Sequence, residues 1–597
     1  MVRGQCPRLC GIMSEFRKLT SRQFFCHATS CITYGLGLLC LVIAGCGVPG
    51  PGGKDDSFGL DLTPPGGQAV RGAFVFVVDG VNGRIFQKML QAGELPAIQK
   101  YFVDRGLYAP RAVANTPSIT IVNLTSLATG MLPGHHGITG NLWFDRRVGV
   151  YRNYNTLAQK NMLDGDYDRP SIFELANGQA AGENSDAMSV SIFFQPHRGT
   201  TKFFENALSA VGPFVFGWYD WVDRITLFRL GEMMSLARKA GRFPLVTYLY
   251  LLNPDFQAYA HGVSSPQYKQ ALRDTDRQLG RVLGDMAKAG LLDKVIIALV
   301  SDHSLGDVKS HFDIEKFLAD QPGLNLASER LWEDSSKGYR DEYYDRFNAV
   351  LYHCGDRYAA LCLRKPLANA PGQVASYAPW PERPTPADVQ PLAKKLISAQ
   401  AIDVVAWATD ENRCQLSTKR GVVEFAQPAG PGGEISYSVA VGQDPLGWAG
   451  KVPAELLGGK PARPRRWLEV TNDTDYPGLP TQILAYFRAP RAGDLAIFTS
   501  PGWDFLSSNR AGHGGLRACD DMHVPLLLAG PGVPHKTISV ARTIDLVPTL
   551  LQLLKTDNPG YHTKKHPQKF DGQSLIQTPG FLPVPKNKKP PGLAPEE

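Results

Sequence analysis

Cysteine is scarce in this chain. There are ten in 597 residues, and no two are spaced as CxxC, which argues against a thiolate metal site. Basic clusters are equally absent. The net charge is +7 over the whole length, with no long Lys/Arg run, so no nucleic-acid polymer is expected as a partner. No internal repeat is visible, which removes solenoids and propellers. The longest N-terminal apolar stretch, ITYGLGLLCLVIAG (32–45), is shorter than the roughly 20 residues that span a bilayer. What remains is ordinary globular composition, 43% hydrophobic and 20% charged, long enough for one large domain with insertions or two to four smaller ones.

The apolar stretch has its own meaning. Arg17, Lys18 and Arg22 precede it, and small residues end it at Cys46, the pattern of a secretory signal. The tetrapeptide IAGC resembles a bacterial lipoprotein cleavage box, which implies removal of residues 1–45 and a lipid on Cys46. The expected location is therefore outside the cytoplasm, anchored to a membrane, with the outer membrane and periplasm preferred because Gly47 is not the Asp that retains lipoproteins inside. An uncleaved signal anchor is the alternative. After cleavage five cysteines remain, Cys46, Cys354, Cys362, Cys414 and Cys519, too few for a disulfide scaffold. Cys354 and Cys362 are near enough to pair, but spacing does not decide it.

Residues 46–71 are rich in Gly, Pro and Asp and read as a flexible tether. Residues 579–597 read as a disordered tail, which leaves a body over 72–578. Five apolar runs punctuate this body: AFVFVVDG (73–80), LVTYLYLLNPD (245–255), KVIIALVSDH (294–303), GDLAIFTS (493–500) and HVPLLLAGPG (523–532). Such runs suit parallel strands covered on both faces. Helical patterns such as NGRIFQKMLQAGELPAIQKYF lie between them, so the fold class is α/β. Residues 401–447 instead alternate polar and apolar positions with Gly-rich turns and read as a small antiparallel insertion.

Three of the runs end in an aspartate: Asp79, Asp255 and Asp302. In open α/β sheets, ligands bind beyond the carboxyl ends of the strands, so these carboxylates form a candidate constellation. His303 adjoins Asp302, and carboxylate and imidazole ligands suit zinc. Asp255 with His261 and His513 forms a second group, and two ions about 4 Å apart can clamp a phosphoryl transfer. Thr120 and Asn123 stand in PSITIVNLTSLATG (117–130), where a loop runs into a helix. Two readings of Thr120 stay open here. It is an ordinary helix cap, or a hydroxyl activated by the positive helix end and a metal.

In order, these motifs resemble the alkaline phosphatase superfamily, in particular its nucleotide pyrophosphatase/phosphodiesterase branch. VVDG, TIVNLTSLATGMLPGHHGITGNLWFD, SDHS and GHGG carry the resemblance, over roughly 72–145, 245–315 and 490–575. It implies a three-layer α/β/α sandwich around a mostly parallel sheet, with the β-rich insertion at about 400–450. It implies two zinc ions, one bound by Asp79, Thr120, Asp302 and His303, the other by Asp255 and His513. Thr120 would be the nucleophile that becomes phosphorylated, and Asn123 would contact the phosphoryl oxygens. One position departs. Tyr259 occupies the place of the usual His four residues after Asp255, so His261 reached through a changed turn, Tyr259 itself, or a loose or empty site are the alternatives. The formylglycine context of sulfatases, CxPxR or SxPxR, is absent around Thr120.

The expected activity is hydrolysis of a small phosphate ester, a phosphodiester first, with a monoester or phosphonate hydrolase, or a binding protein on a dismantled centre, as alternatives. Asn141, Trp143 and Phe144 can line the leaving-group side or pack the loop. Arg146 and Arg147 can meet anions or solvent, and His311 is a further nearby histidine.

Overall fold

The run AFVFVV forms the strand Ala73–Val78, buried at every position. Its alternate residues face opposite ways. Phe74, Phe76 and Val78 enter one apolar cluster, and Ala73, Val75 and Val77 enter another. A strand must be continuously apolar when helices cover both faces of its sheet, and that is the arrangement here. The computed structural model describes residues 57–66, 70–156, 159–177, 187–205, 217–327, 342–353, 357–368, 375–505, 509–554 and 570–576.

The sheet has nine strands, in the order 536–537, 106–113, 523–529, 296–300, 73–78, 244–251, 188–192 and 202–204, with 541–542 also paired to 106–113. Ala73–Val78 lies parallel between Pro244–Leu251 and Ile296–Val300. One face is covered by the helices Gly83–Gln91, Pro96–Tyr101, Tyr219–Ala240 and Pro266–Lys288, which supply Phe86, Ile98, Leu230 and Leu279 to the first cluster. The other face is covered by Thr120–Thr129, Ile172–Ala176 and Leu546–Leu553. The fold is the expected α/β/α sandwich around a mostly parallel sheet.

Two of the five apolar runs do not follow the parallel expectation. His523–Ala529 is antiparallel to both its neighbours. Leu495–Thr499 leaves this sheet altogether and runs antiparallel within a second one. A run of apolar residues reports that both faces are covered; it carries no information about strand direction.

That second sheet has eight strands, in the order 326–327, 349–353, 358–363, 495–499, 402–410, 413–418, 421–426 and 436–442. The alternation seen at 401–447 is thus the outer half of a larger, mainly antiparallel layer. One face packs Trp448, Trp467 and Tyr486 with Phe144, and the other packs Leu396 and Ile397 of the helix Pro386–Ser398.

Phe58 to Leu62, read from composition as part of a flexible tether, are docked on the body. The backbone N–H groups of Phe58 and Leu60 both donate to Asp285 Oδ2 at 3.1 Å, and the Phe58 and Leu62 side chains are buried. The expected signal peptide, Cys46, the start of the tether and the C-terminal tail lie outside the described residues, as does Cys354. Cys362 is free and buried. Among the described residues no helix is long and apolar enough to cross a membrane.

Candidate metal centre

Three adjacent parallel strands end beside one another, and each delivers a carboxylate. Asp79 follows Ala73–Val78 directly, and its N–H donates to Leu251 O at 2.8 Å. Asp302 and His303 follow Ile296–Val300. Asp255 sits in the first turn of the helix Asn253–His261, after Pro244–Leu251. Asp223 holds that turn in place, accepting from the N–H groups of Leu252 and Asn253. Gly80 permits the convergence. It has φ +63°, and a Cβ there would lie 2.6 Å from Asp255 Oδ1. His513 arrives from a separate short strand, Ala511–Gly512, paired to Gly306–Asp307.

The side chains form two overlapping groups. Asp79, Asp302 and His303 bring one ligand atom each within 4.8 Å of one another, and so do Asp255, His303 and His513. His303 Nε2 lies 3.2 Å from Asp79 Oδ1 and 3.6 Å from Asp302 Oδ2. The rings of His303 and His513 are 4.1 Å apart. Second oxygens are held from behind. Tyr250 O–H donates to Asp79 Oδ2, and Gly80 N–H donates to Asp302 Oδ1 at 3.4 Å. His303 Nδ1 faces Ser304 O at 3.2 Å, which turns Nε2 toward the carboxylates.

The electrostatics are those of a site built around a cation. Asp79, Asp255 and Asp302 are all buried. Burial, then the Asp79 charge, push Asp302 up to about 8. Burial opposes charge on His303, but the Asp302 and Asp79 carboxylates outweigh it and raise the imidazole to about 10. Burial, then His303 and Arg357, drive His513 well below its ordinary value, so it is a neutral imidazole suited to metal ligation. Asp302 Oδ2 and His513 Nδ1 are buried and have no hydrogen-bond partner. Buried polar atoms left this way in a native protein call for an explanation, and the oxygen and imidazole donor set fits zinc.

Thr120 is the first residue of the helix Thr120–Thr129, with Ile119 in the cap position. Thr120 is therefore not the helix cap. Its Oγ1 lies 3.0 Å from His303 Nε2, at the positive end of the helix. Asn123 sits one turn on, but its carboxamide is occupied. Nδ2 faces the carbonyls of Asn115, Pro117 and Ile119, and Oδ1 accepts from Asn115 N–H at 2.7 Å. Fully buried, it shapes the loop before Thr120 and is not placed to meet a phosphoryl group. Asn141 instead reaches the helix start, its Oδ1 accepting from Ile121 N–H at 2.9 Å.

His261 does not join the centre. It is exposed at the last position of its helix. Six residues from Asp255 is about 600°, which points it to the far side, whereas Tyr259 at i+4 shares the Asp255 face. The Tyr259 ring stands edge-on to His513 at 5.7 Å. Trp143 and Phe144 are buried core residues, Phe144 packing on Tyr344 and Trp380. Arg146 pairs with Asp494 in the interior, Arg147 pairs with Asp145, and His311 Nδ1 pairs with Asp504 at 2.6 Å. None of these is free to meet substrate through those groups.

Sequence reasoning missed Gln482, which comes from the helix Leu479–Arg488 beside the second sheet. Its Oε1 accepts from Thr116 N–H at 2.6 Å and its Nε2 donates to Ala114 O at 2.9 Å. It pins the loop that leads to Thr120. No local motif marks it.

A family model described as Type I phosphodiesterase / nucleotide pyrophosphatase matches residues 73–373. Ectonucleotide pyrophosphatase/phosphodiesterase family member 1 of Mus musculus is 25% identical over 248 residues, 41% of this chain and 25% of its own length. Venom phosphodiesterase CdcPDE of Crotalus durissus collilineatus is 23% identical over 242 residues, 38% of this chain and 27% of its own. The alignments thus span about a quarter of these relatives. The solved structure of murine ectonucleotide pyrophosphatase/phosphodiesterase 5 superposes with a TM-score of 0.49 at 14% identity, covering 81% of this chain and 95% of that one.

Proposed function

The chain belongs to the type I phosphodiesterase / nucleotide pyrophosphatase family, and we propose that it is a zinc-dependent hydrolase of phosphodiesters in which Thr120 is the nucleophile. The observation that carries this reading is the placement of Thr120 Oγ1 3.0 Å from His303 Nε2, inside a buried shell of Asp79, Asp302 and His303.

Asp79, Thr120, Asp302 and His303 would hold one zinc ion, and Asp255 with His513 the other, with Tyr259 beside them. When bound, zinc acts as a Lewis acid at phosphorus-bound oxygens and favours the deprotonated form of a hydroxyl. The protein's part is positioning. Tyr250 and Gly80 hold Asp79 Oδ2 and Asp302 Oδ1 from behind, which aims the opposite oxygens into the site, and Gln482 and Asn123 fix the approach to Thr120. Attack of Thr120 Oγ on phosphorus forms an O–P bond and expels an alcohol or nucleotide. Hydrolysis of the phosphothreonine then restores Thr120. The Thr120 end of its helix favours the negative charge gathered on the phosphoryl oxygens, and Asn141 carries N–H donors at the same end.

The test is elemental analysis of the purified chain together with cleavage of bis-p-nitrophenyl phosphate and p-nitrophenyl phosphate. About two zinc per chain with faster diester cleavage supports the reading. A folded Thr120→Ala variant should lose at least about 10³-fold in kcat. Full activity in that variant removes the nucleophile assignment. Fewer than two zinc and no cleavage of either ester favours the binding-protein reading that Tyr259 raises. The lipid anchor at Cys46 belongs to the same proposal, which palmitate labelling and its loss in Cys46→Ala would check.

A further inference from the structure

A cluster of cationic side chains outside the metal centre lines a cavity of about 590 Å³ between the helix Leu479–Arg488 and the segment around Asp571. Arg463, Arg465, Arg488 and Arg542 face it, together with His135, against only two acids, Glu434 and Asp571. It is separate from the metal centre. Thr120 starts its helix, whereas Leu132 and His135 of the cavity wall follow the other end, ten residues on, a distance of about 15 Å along the axis.

Two of the arginines are neutralised in part. Arg542 pairs with Asp545 at 3.4 Å, and Arg465 pairs with Asp545 and Glu469 at 3.6 Å. The other two are not. Arg463 and Arg488 form no ion pair among the described residues; Arg488 Nη2 donates to Asn412 Oδ1 at 3.3 Å, but its Nε–H is buried without a hydrogen bond. Burial lowers Arg488 from its ordinary value, outweighing the opposing effects of Cys414 and Asp571. His135 is anchored at Nδ1 by Asp571 Oδ2 at 2.7 Å. Its side chain is only 8% exposed, and Nε2 has no partner. The Arg542 side chain, 7% exposed, likewise leaves Nε without one.

Leaving the buried Arg488 and Arg542 Nε–H donors unpaired costs roughly 1–3 kcal/mol each, and an anion in the cavity would complete them. Guanidinium groups offer paired N–H donors that match phosphoryl oxygens. The volume lies within the range of about 300–1,000 Å³ typical of small-molecule sites, and exceeds the need of one inorganic anion. The Phe570 ring on the wall gives an organic group an apolar surface. We propose that this cavity is a second binding site, remote from the metal centre, for a small phosphorylated organic anion, with its phosphoryl group held by Arg463 and Arg488.

The test is calorimetric titration of the full chain with inorganic phosphate at low salt. Saturable binding is expected, and Arg463→Gln/Arg488→Gln should weaken it at least about tenfold, the loss of one charge-assisted hydrogen bond. Because Arg488 is partly buried, Arg463→Glu, at the exposed rim, serves as the second variant. It should fold as wild type by circular dichroism, weaken phosphate in the same direction and leave kcat on bis-p-nitrophenyl phosphate unchanged. Affinity unchanged in both variants assigns all phosphate binding to the metal centre and overturns the proposal. So does the absence of any saturable binding up to about 10 mM.

Discussion

Gln482 offers the sharpest test of how the second sheet's neighbourhood serves the site. It is 3% exposed, and its two hydrogen bonds satisfy Thr116 N–H and Ala114 O. Thr116 and Ala114 are themselves buried, so water does not replace a lost partner cheaply. Gln482→Met keeps the side-chain length and removes both bonds. Each orphaned backbone group costs about 1–3 kcal/mol, so the variant should lose about 2–6 kcal/mol of stability. The same loop positions Thr120, and misplacement of a reacting group by about 1 Å can cost on the order of 10²-fold in rate. The expected result is a lower urea midpoint together with a fall in kcat at unchanged zinc content. Gln482→Glu separates the two bonds. At neutral pH its carboxylate still accepts from Thr116 N–H but faces Ala114 O, and the buried charge raises its pKa. Its folded form then binds a proton the unfolded chain has released, so its deficit should grow as pH rises above the unfolded Glu value. A Gln482→Met variant with wild-type midpoint and kcat refutes the reasoning, because the loop would then be held by something else.

Restoring the usual ligand should strengthen the second metal position: Tyr259→His places an imidazole on the Asp255 face, and equilibrium dialysis should show zinc bound more tightly at that position with the first unchanged. Gly80→Ala introduces a Cβ 2.6 Å from Asp255 Oδ1 at φ +63°. Left-handed strain of about 1–2 kcal/mol and overpacking of about 1–3 kcal/mol together predict a loss of about 2–5 kcal/mol, read as a lower thermal midpoint, with zinc lost from the Asp255 position first. His136 should contribute to the loss of stability in acid. Burial lowers it to about 3 from an unfolded value of 6.5, and its Nδ1 accepts from Ile138 N–H while Nε2 meets Ser126 Oγ. The unfolded chain binds this proton and the folded chain does not, so the contribution is complete above pH 6.5 and is lost as pH falls from there through about 3. Its steepest slope is about 1.4 kcal/mol per pH unit. His136→Gln keeps both hydrogen-bonding roles without a titrating proton. Its urea midpoint should depend less on pH between 6 and 4, and an unchanged dependence would refute the assignment.

Much of the site was legible because its elements follow local rules. A fully apolar run followed by an acid marks a strand end, and Asp79, Asp302 and the turn carrying Asp255 do lie together. Thr120 was legible as a helix start, though not as a helix residue whose cap is Ile119. His261 was misplaced by proximity in sequence, although helical phase alone separates it from Asp255 and keeps Tyr259 close. Asn123 illustrates a different limit. Its spacing from Thr120 is right for a shared face, but the 115–119 loop folds back over the helix and takes its amide. The path of that loop depends on Gln482, more than 360 residues away in sequence. Long-range hydrogen bonds of this kind leave no periodic trace.

The departure at Tyr259 gains meaning from its surroundings. The first group takes nothing from it: Asp79, Asp302, His303 and Thr120 come together without the Asn253–His261 helix. The second group lacks the imidazole that the resemblance places at position 259, yet His513 is neutral and buried and Asp255 sits in a turn that Asp223 secures. A protein relieved of all need for the second ion would tolerate an apolar or charge-balancing residue in place of Asp255. This chain keeps the carboxylate buried beside two others, where a bound cation would offset their repulsion in place of protons on Asp302 and His303. The buried Asp255 and His513 thus support the proposed second ion over a dismantled centre.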